Sequence, residues 1–336
     1  MNSERLPYHS LMKIKQLESP TDIFDLRLAK EKPFDVVGFG TNSVDHLCFV
    51  DEYPPIGSKS EIVQHEKLPG GQVATALEFL SRIGLKTKYV GKVGGDELGR
   101  FCLRNFASGS VDTTSVLVEQ TARNQYAFII VDRMSGERTV LSRRESGLNF
   151  REHELNKNEI CAGRILHLDG YDSAGSLKAA KWCRQFGIPV SIDLDKVVHG
   201  CPELIKNVDF LIASSNFPSE FTGIADPCRA FRELRKCYEG FLAVTLGSLG
   251  AMAWVGNQCV RFPGLEVNAV DTTGAGDIFH AAFIYGLLQN WPLGKTMSFA
   301  NAAAGLSCKF IGAQAGIRPI SEILQHVDRV PSPLRL

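Results

Sequence analysis

The segment Asp271-Thr272-Thr273-Gly274-Ala275-Gly276-Asp277 gathers the residues best suited to chemistry. Gly274, Ala275 and Gly276 are small, so a ligand can come close to their backbone. They stand where a helix begins, ahead of Ile278-Phe279-His280-Ala281-Ala282-Phe283. Free amide N–H groups and the helix dipole favour an anion at such a start. Asp277 lies in the first turn, where a carboxylate is stabilised and can act as a base beside the anion. A phosphoryl group on these amides, with a hydroxyl next to Asp277, would make a phosphoryl-transfer site. For an isolated GxGD an ordinary capped helix competes with that reading. The full seven residues before an Ala-rich helix favour the site.

Other familiar motifs fail. Gly38-Phe39-Gly40 follows a strand pattern, but Ser43 stands where a dinucleotide fingerprint needs its third glycine. Gly294-Lys295-Thr296 imitates the end of a phosphate loop, yet Gln289 occupies the place of its first glycine. The 9 cysteines are scattered and form no CxxC pair, which reads as reduced thiols in a cytoplasmic protein. No His/Cys/Asp cluster suggests zinc. His280 follows Asp277 by one helical turn, and the plain reading is a packed or solvent-facing helix residue. Arg123, Arg138, Arg143 and Arg144 are either exposed charge or contacts to an anionic ligand.

The elements that would position these residues alternate. Phe34 to Gly40 is a buried-strand pattern closed by glycines, and residues 71 to 83 carry apolar residues near period 3.6, with Gly84 as cap. A strand at 88–91 and a helix at 96–106 follow. Strands at 164–169, 189–193, 208–213 and 241–246 then alternate with helices at 174–186 and 226–238. This order predicts an α/β fold: a doubly wound, mainly parallel sheet with helices on both faces. Residues 46–66 and 114–142 break the alternation with strand-like runs, clearest at Val116-Leu117-Val118 and Ala127 to Val131. They predict a small inserted β-sheet, either a lid over a cleft or a dimer-forming sheet. Helices are expected near 275–290, 294–310 and 320–328. Residues 1–33 read as a polar N-terminal extension with partial order and no chemistry, with a short helix starting at Pro20-Thr21. Residues 34–330 form the main domain and 331–336 a C-terminal tail.

Lys+Arg 37 against Asp+Glu 37 disfavours a nucleic-acid binder, and 44% hydrophobic with 22% charged residues excludes an acidic disordered chain. No run of about eighteen apolar residues predicts a membrane span. The first thirty residues lack an apolar leader, so no signal peptide is expected.

Taken together, the motifs resemble the PfkB family of carbohydrate kinases, with the ribokinase-like fold. Asp271 to Asp277 resembles its C-terminal signature, Pro69-Gly70-Gly71-Gln72-Val73-Ala74-Thr75 its N-terminal one, and Val90 to Gly99 the glycine-rich segment between. The likeness runs from about residue 34 to 328. It implies an ATP-dependent sugar kinase in which Asp277 is the general base and Gly274, Ala275 and Gly276 form the anion hole. Asp45 would accept hydrogen bonds from sugar hydroxyls, with Gly70 and Gly71 allowing close approach. Thr75 stands where the family usually has a sugar-binding asparagine. Asp169, where many relatives have Glu, would either contact substrate or cap its loop.

By the same resemblance Asn216 and Glu220 approximate, one residue longer, a motif that positions Mg²⁺ through waters. Glu220 could instead cap or salt-bridge a short helix. Thr245, Gly247 and Gly250 would border ATP, and Asn301 the adenine. Asp271 and Thr273, with backbone from about Ser307 to Gly316, resemble a K⁺ site found in some members. The expected substrate is a free pentose, ketohexose or related polyol. A sugar acid such as 2-keto-3-deoxygluconate or a nucleoside is the alternative, and a catalytically silent sugar-binding regulator the non-enzymatic one. A homodimer through the lid is the expected assembly.

Overall fold

The computed structural model describes residues 18–134 and 138–335. Its strands in chain order are β1 (Phe34–Phe39), β2 (Ser43–Val50), β3 (Gln64–Gly70), β4 (Thr87–Val90), β5 (Lys92–Gly94), β6 (Leu117–Glu119), β7 (Tyr126–Asp132), β8 (Arg138–Arg143), β9 (Gly163–Leu168), β10 (Val190–Leu194), β11 (Phe210–Ser214), β12 (Phe241–Thr245), β13 (Ala251–Val255), β14 (Gln258–Phe262) and β15 (Leu334–Arg335). Its helices are α1 (Gln72–Arg82), α2 (Glu97–Gly109), α3 (Lys157–Ile160), α4 (Ser173–Gln185), α5 (Cys201–Ile205), α6 (Phe217–Thr222), α7 (Pro227–Cys237), α8 (Ala275–Leu288), α9 (Leu293–Ser307) and α10 (Ile320–Val327).

Short apolar runs such as Phe210-Leu211-Ile212-Ala213 are buried on both faces, as a sheet covered by helices requires. They build a nine-stranded sheet in the order β15-β14-β13-β12-β11-β10-β9-β1-β4. The six strands from β12 to β4 run parallel, and β13 to β15 add an antiparallel edge. On one face α1, α8 and α9 share a core with β11 and β12. Helix α8 is buried without a break from Ile278 to Leu288, because α1 and α9 both pack against it. Helices α4 and α7 cover the other face. Capping follows local rules. The Asp226 carboxylate accepts from Arg229 N at 2.7 Å, and Pro227 opens α7.

Strand β1 lies between β4 and β9, so the winding direction reverses there. In open α/β sheets that reversal opens a crevice at the carboxyl ends of the strands. A second sheet, β3-β2-β7-β8, stands over it. It matches the expected lid, with different bounds. Pairing begins at Ser43 and ends at Arg143, while residues 51–63 form no strand. The turn signal Met134-Ser135-Gly136-Glu137 between the last two strands includes residues 135–137, outside the described residues. Val116-Leu117-Val118 does not join the lid. Leu117 N donates to Gly91 O at 3.0 Å, and β6 pairs in parallel with β5 in a separate ribbon.

The N-terminal segment also departs from expectation over its described part, residues 18–33. Pro20-Thr21 forms a turn, and the chain then runs extended. Leu293 N donates to Asp22 O at 2.9 Å, and Ile23 bridges Pro292, which ties the segment to the start of α9. Phe24 is 3% exposed and meets Phe210 and Phe241 edge-on at 5.3 and 5.2 Å. This strap belongs to the main core. Residues 1–17 of the expected extension, and Leu336 of the tail, lie outside the described residues.

Candidate active site

Gly274 caps α8 with φ 78°, and no side chain caps that start. A Cβ at Gly274 would lie 2.4 Å from Ala313 Cβ, so glycine is required by both the turn and its neighbour. A Cβ on Gly276 would meet nothing within 4 Å, and this residue is exposed. The first turn of α8 therefore presents backbone to open space, and an anion there meets amide donors and the positive end of the dipole, although Ala275 N also donates to Thr272 O at 3.3 Å. Asp277 follows in the same turn, half-buried. Burial, then the Asp193 and Asp45 carboxylates, push its proton affinity well above the usual carboxylate range, while Arg138 pulls it down.

Asp271 braces this loop. Its Oδ1 accepts from Thr273 N at 2.9 Å and Thr273 Oγ1 at 2.7 Å, and its Oδ2 accepts from Gly312 N at 2.7 Å. The carboxylate is satisfied by these donors, so the geometry does not require a cation beside Asp271 and Thr273.

Asp45 sits on β2 facing the site, 7% exposed, and Ser43 Oγ donates to it at 2.9 Å. Its cross-strand hairpin partner β3 ends at Gly70. A Cβ there would stand 1.9 Å from Asp45 Oδ2, so only glycine leaves the carboxylate its place. Burial lifts Asp45 from 3.8 to about 6. Gly71, with φ 95°, lies against Asn42 and opens α1. Asp169, just past β9, is wholly buried. It accepts from Thr41 N and Oγ1 at 2.5 and 2.7 Å and from Tyr171 N at 3.0 Å. Burial lifts it to about 6 as well. Its bonds hold the β1–β2 loop.

The remaining expected residues fall unevenly. Thr75 is fully buried on α1, and its hydroxyl has no partner among the described residues. Asn301 is 4% exposed, and its Nδ2 donates to Phe262 O at 2.9 Å, tying α9 to β14. The structure brings neither to an open surface. Thr245, Gly247 and Gly250 line the turn between β12 and β13, where both glycines have positive φ. Asn216 and Glu220 are exposed at the end of β11, and Glu220 Oε2 accepts from Val197 N at 3.3 Å. No group of three or more His, Cys, Asp or Glu able to cage a metal occurs among the described residues. Two exposed oxygen-bearing side chains suit a hydrated, phosphate-bound Mg²⁺, which needs few protein ligands.

Two features escaped the sequence reading. Arg138 Nη1, on the lid strand β8, donates to Thr272 Oγ1 and so joins the lid to the anion-hole loop. Of the four arginines flagged in the sequence, this one reaches Asp277. Arg144 Nη2 instead donates to Leu148 O at 3.1 Å, and Arg143 pairs with Glu145 at 3.5 Å. His280 is 2% exposed and lies 3.2 Å from Asp193, at the end of β10. No local pattern signals that pair.

The model of the pfkB family carbohydrate kinases matches residues 34–320 of the chain. A ribokinase of Lactococcus lactis is 26% identical over 84% of this chain and 94% of its own length. A nucleoside kinase of Methanothermobacter thermautotrophicus is 25% identical over 87% of this chain and 95% of its own. Among solved structures, a ribokinase of Arabidopsis thaliana complexed with ribose and ATP superposes with a TM-score of 0.73 at 21% identity, covering 88% of this chain and 98% of that one.

Proposed function

The chain belongs to the pfkB family of carbohydrate kinases, phosphotransferases with a hydroxyl acceptor, and from that premise we propose that it moves the γ-phosphate of ATP onto a hydroxyl of a neutral sugar. One observation carries this reading: Asp277, made basic by burial and by neighbouring carboxylates, stands in the uncapped first turn of α8 beside the open backbone of Gly276. Asp45, over Gly70, would accept hydrogen bonds from two sugar hydroxyls. Asp277 would take the proton of the hydroxyl that attacks. The amides of Gly274, Ala275 and Gly276 would hold the transferring phosphoryl oxygens, where fixed donors stabilise developing charge most. Asn216 and Glu220 would meet a hydrated Mg²⁺, which neutralises phosphate charge when bound. Thr245, Gly247 and Gly250 would border the nucleotide.

The acceptor is a pentose, ketohexose or related polyol in this reading. Asp45, Asp193, Asp195 and Asp277 crowd one end of the cleft with negative charge, which disfavours a sugar acid. Of the nearby arginines Arg138 alone acts on Asp277, while Arg143 pairs with Glu145 and Arg144 is held by the 148–149 backbone and side chain. The lid's outer face supports a homodimer. Phe128 and Leu141 are cross-strand partners, 44% and 57% exposed, beside the stacked rings of His46 and His65. No helix among the described residues is long and apolar enough to cross a membrane, and all nine cysteines are free, which supports a cytoplasmic setting.

The test is ADP release with Mg²⁺ across a panel of free sugars, sugar acids and nucleosides, with the product identified by mass. A phosphorylated neutral sugar is expected. Sugar binding with no turnover on any acceptor would replace the kinase with a silent binding protein.

A further inference from the structure

The turn that opens α8 rests on a second loop, residues 311–316. Gly312 N donates to Asp271 Oδ2 at 2.7 Å, and Ala313 packs where a side chain at Gly274 would stand. The next residue of that loop, Gln314, is 3% exposed and tied to two helices. Its backbone carbonyl accepts from Arg82 Nη1 at 3.0 Å, at the end of α1. Its side-chain Oε1 accepts from Asn105 Nδ2 at 2.8 Å, on α2.

Arg82 is itself held. Side chains on a helix tilt toward its N-terminus, so a long one meets the residue one turn earlier. Arg82 Nε donates to Glu78 Oε1 at 2.7 Å. Glu78 is fully buried, and α2 makes room for it with a glycine. A Cβ at Gly109 would stand 1.9 Å from Glu78 Oε2. Apolar side chains of the same volume often fill the place of a buried ion pair with equal or greater stability. What the pair supplies that they cannot is a guanidinium of fixed direction. With Nε on Glu78, the planar fork leaves Nη1 for the Gln314 carbonyl.

We propose that Arg82 is a positioning residue for phosphoryl transfer: anchored on Glu78, it pins the 311–316 loop through Gln314 O and so sets the turn from Asp271 to Gly276. This rests on the reading of the Gly274, Ala275 and Gly276 amides as the anion hole. Donors stabilise developing charge best when they are fixed before it appears. No side chain caps the start of α8, so its amides depend on what packs behind them. Ala313 and Gln314 share a rigid peptide bond, so freeing Gln314 loosens the residue that packs on Gly274.

The full chain carries the test. In Glu78→Met/Arg82→Met apolar side chains replace the pair, and the melting temperature is expected at or above that of the wild type. Hydrogen exchange read by mass spectrometry should nevertheless be faster in peptides covering 271–278 and 311–316. With the best acceptor of the panel, kcat should fall about tenfold to a hundredfold while the acceptor KM stays as it was, the mark of an interaction made in the transition state. Arg82→Lys keeps a cation for Glu78 but has no second arm for Gln314 O. It should give the same split, and it carries the test if the double variant does not fold. Unchanged exchange at both segments in a folded variant overturns the proposal. So does a lower melting temperature with kcat and KM impaired together, which marks a merely structural pair. Faster exchange with an unchanged kcat overturns the part of Arg82 in transfer and, because the turn is then loosened without cost, refutes the anion-hole reading as well.

Discussion

Replacing Asp45 by asparagine should make the unliganded protein more stable while crippling its sugar site. Asp45 is 7% exposed, and burial raises it from 3.8 to about 6. Each pH unit of displacement is worth about 1.4 kcal/mol, so ionised Asp45 costs the fold about 3 kcal/mol at neutral pH. The sign follows from linkage. The folded-state value lies above the unfolded one, so the group's favourable contribution is complete below pH 3.8 and is lost as pH rises through about 6. Asparagine keeps an oxygen for the Ser43 hydroxyl and carries no charge. With about 2.1 cal/mol/K of unfolding entropy per residue, 3 kcal/mol becomes about 4 °C in Tm. Scanning fluorimetry of both proteins from pH 4 to 8 should show melting temperatures that coincide near pH 4 and separate above pH 6, the variant higher. Sugar affinity should fall at least about tenfold, because bonds to an ionised acceptor are the stronger ones. A variant melting at or below the wild type at pH 7.5 would refute the burial argument.

Arg138→Ala should lower kcat by about tenfold to a hundredfold, because it removes a cation beside the anion hole, and should leave the melting temperature nearly unchanged since the side chain is exposed. Steady-state ADP release and a melt of the same sample check both halves. Phe24→Ala should cost about 3–5 kcal/mol, seen as a lower urea midpoint, because the ring fills the core against Phe210 and Phe241. A midpoint within error of the wild type would show that the strap is dispensable.

Much of this was legible because it is local. The seven residues ending at Asp277 form one turn and one helix start, so residue types alone indicate an exposed backbone and a carboxylate. Asp45 and Gly70 meet because a hairpin pairs their strands. Features that depend on distant segments were not legible. Asp193 and His280 are joined by the packing of α8 on β10, and nothing near either residue signals it. Asn301 has a helical neighbourhood, but its amide goes to the carbonyl of Phe262 on a hairpin edge. Val116 to Val118 has a strand pattern, but which strand it pairs with is decided by distant segments, and it pairs with β5 rather than the lid. The strap around Phe24 reads as a loose polar extension because Phe24 is its one fully buried side chain, with Leu26 and Leu28 packed only partly against the core.

The central claim is that Asp277 is the base of a phosphoryl transfer to a sugar hydroxyl. Single-turnover transfer from γ-labelled ATP to the best acceptor, in the wild type and in Asp277→Asn, tests it most directly. The account predicts a transfer rate at least about two orders of magnitude lower in the variant, with ATP and sugar still bound. A folded Asp277→Asn protein that transfers phosphate at a near-normal rate would contradict it.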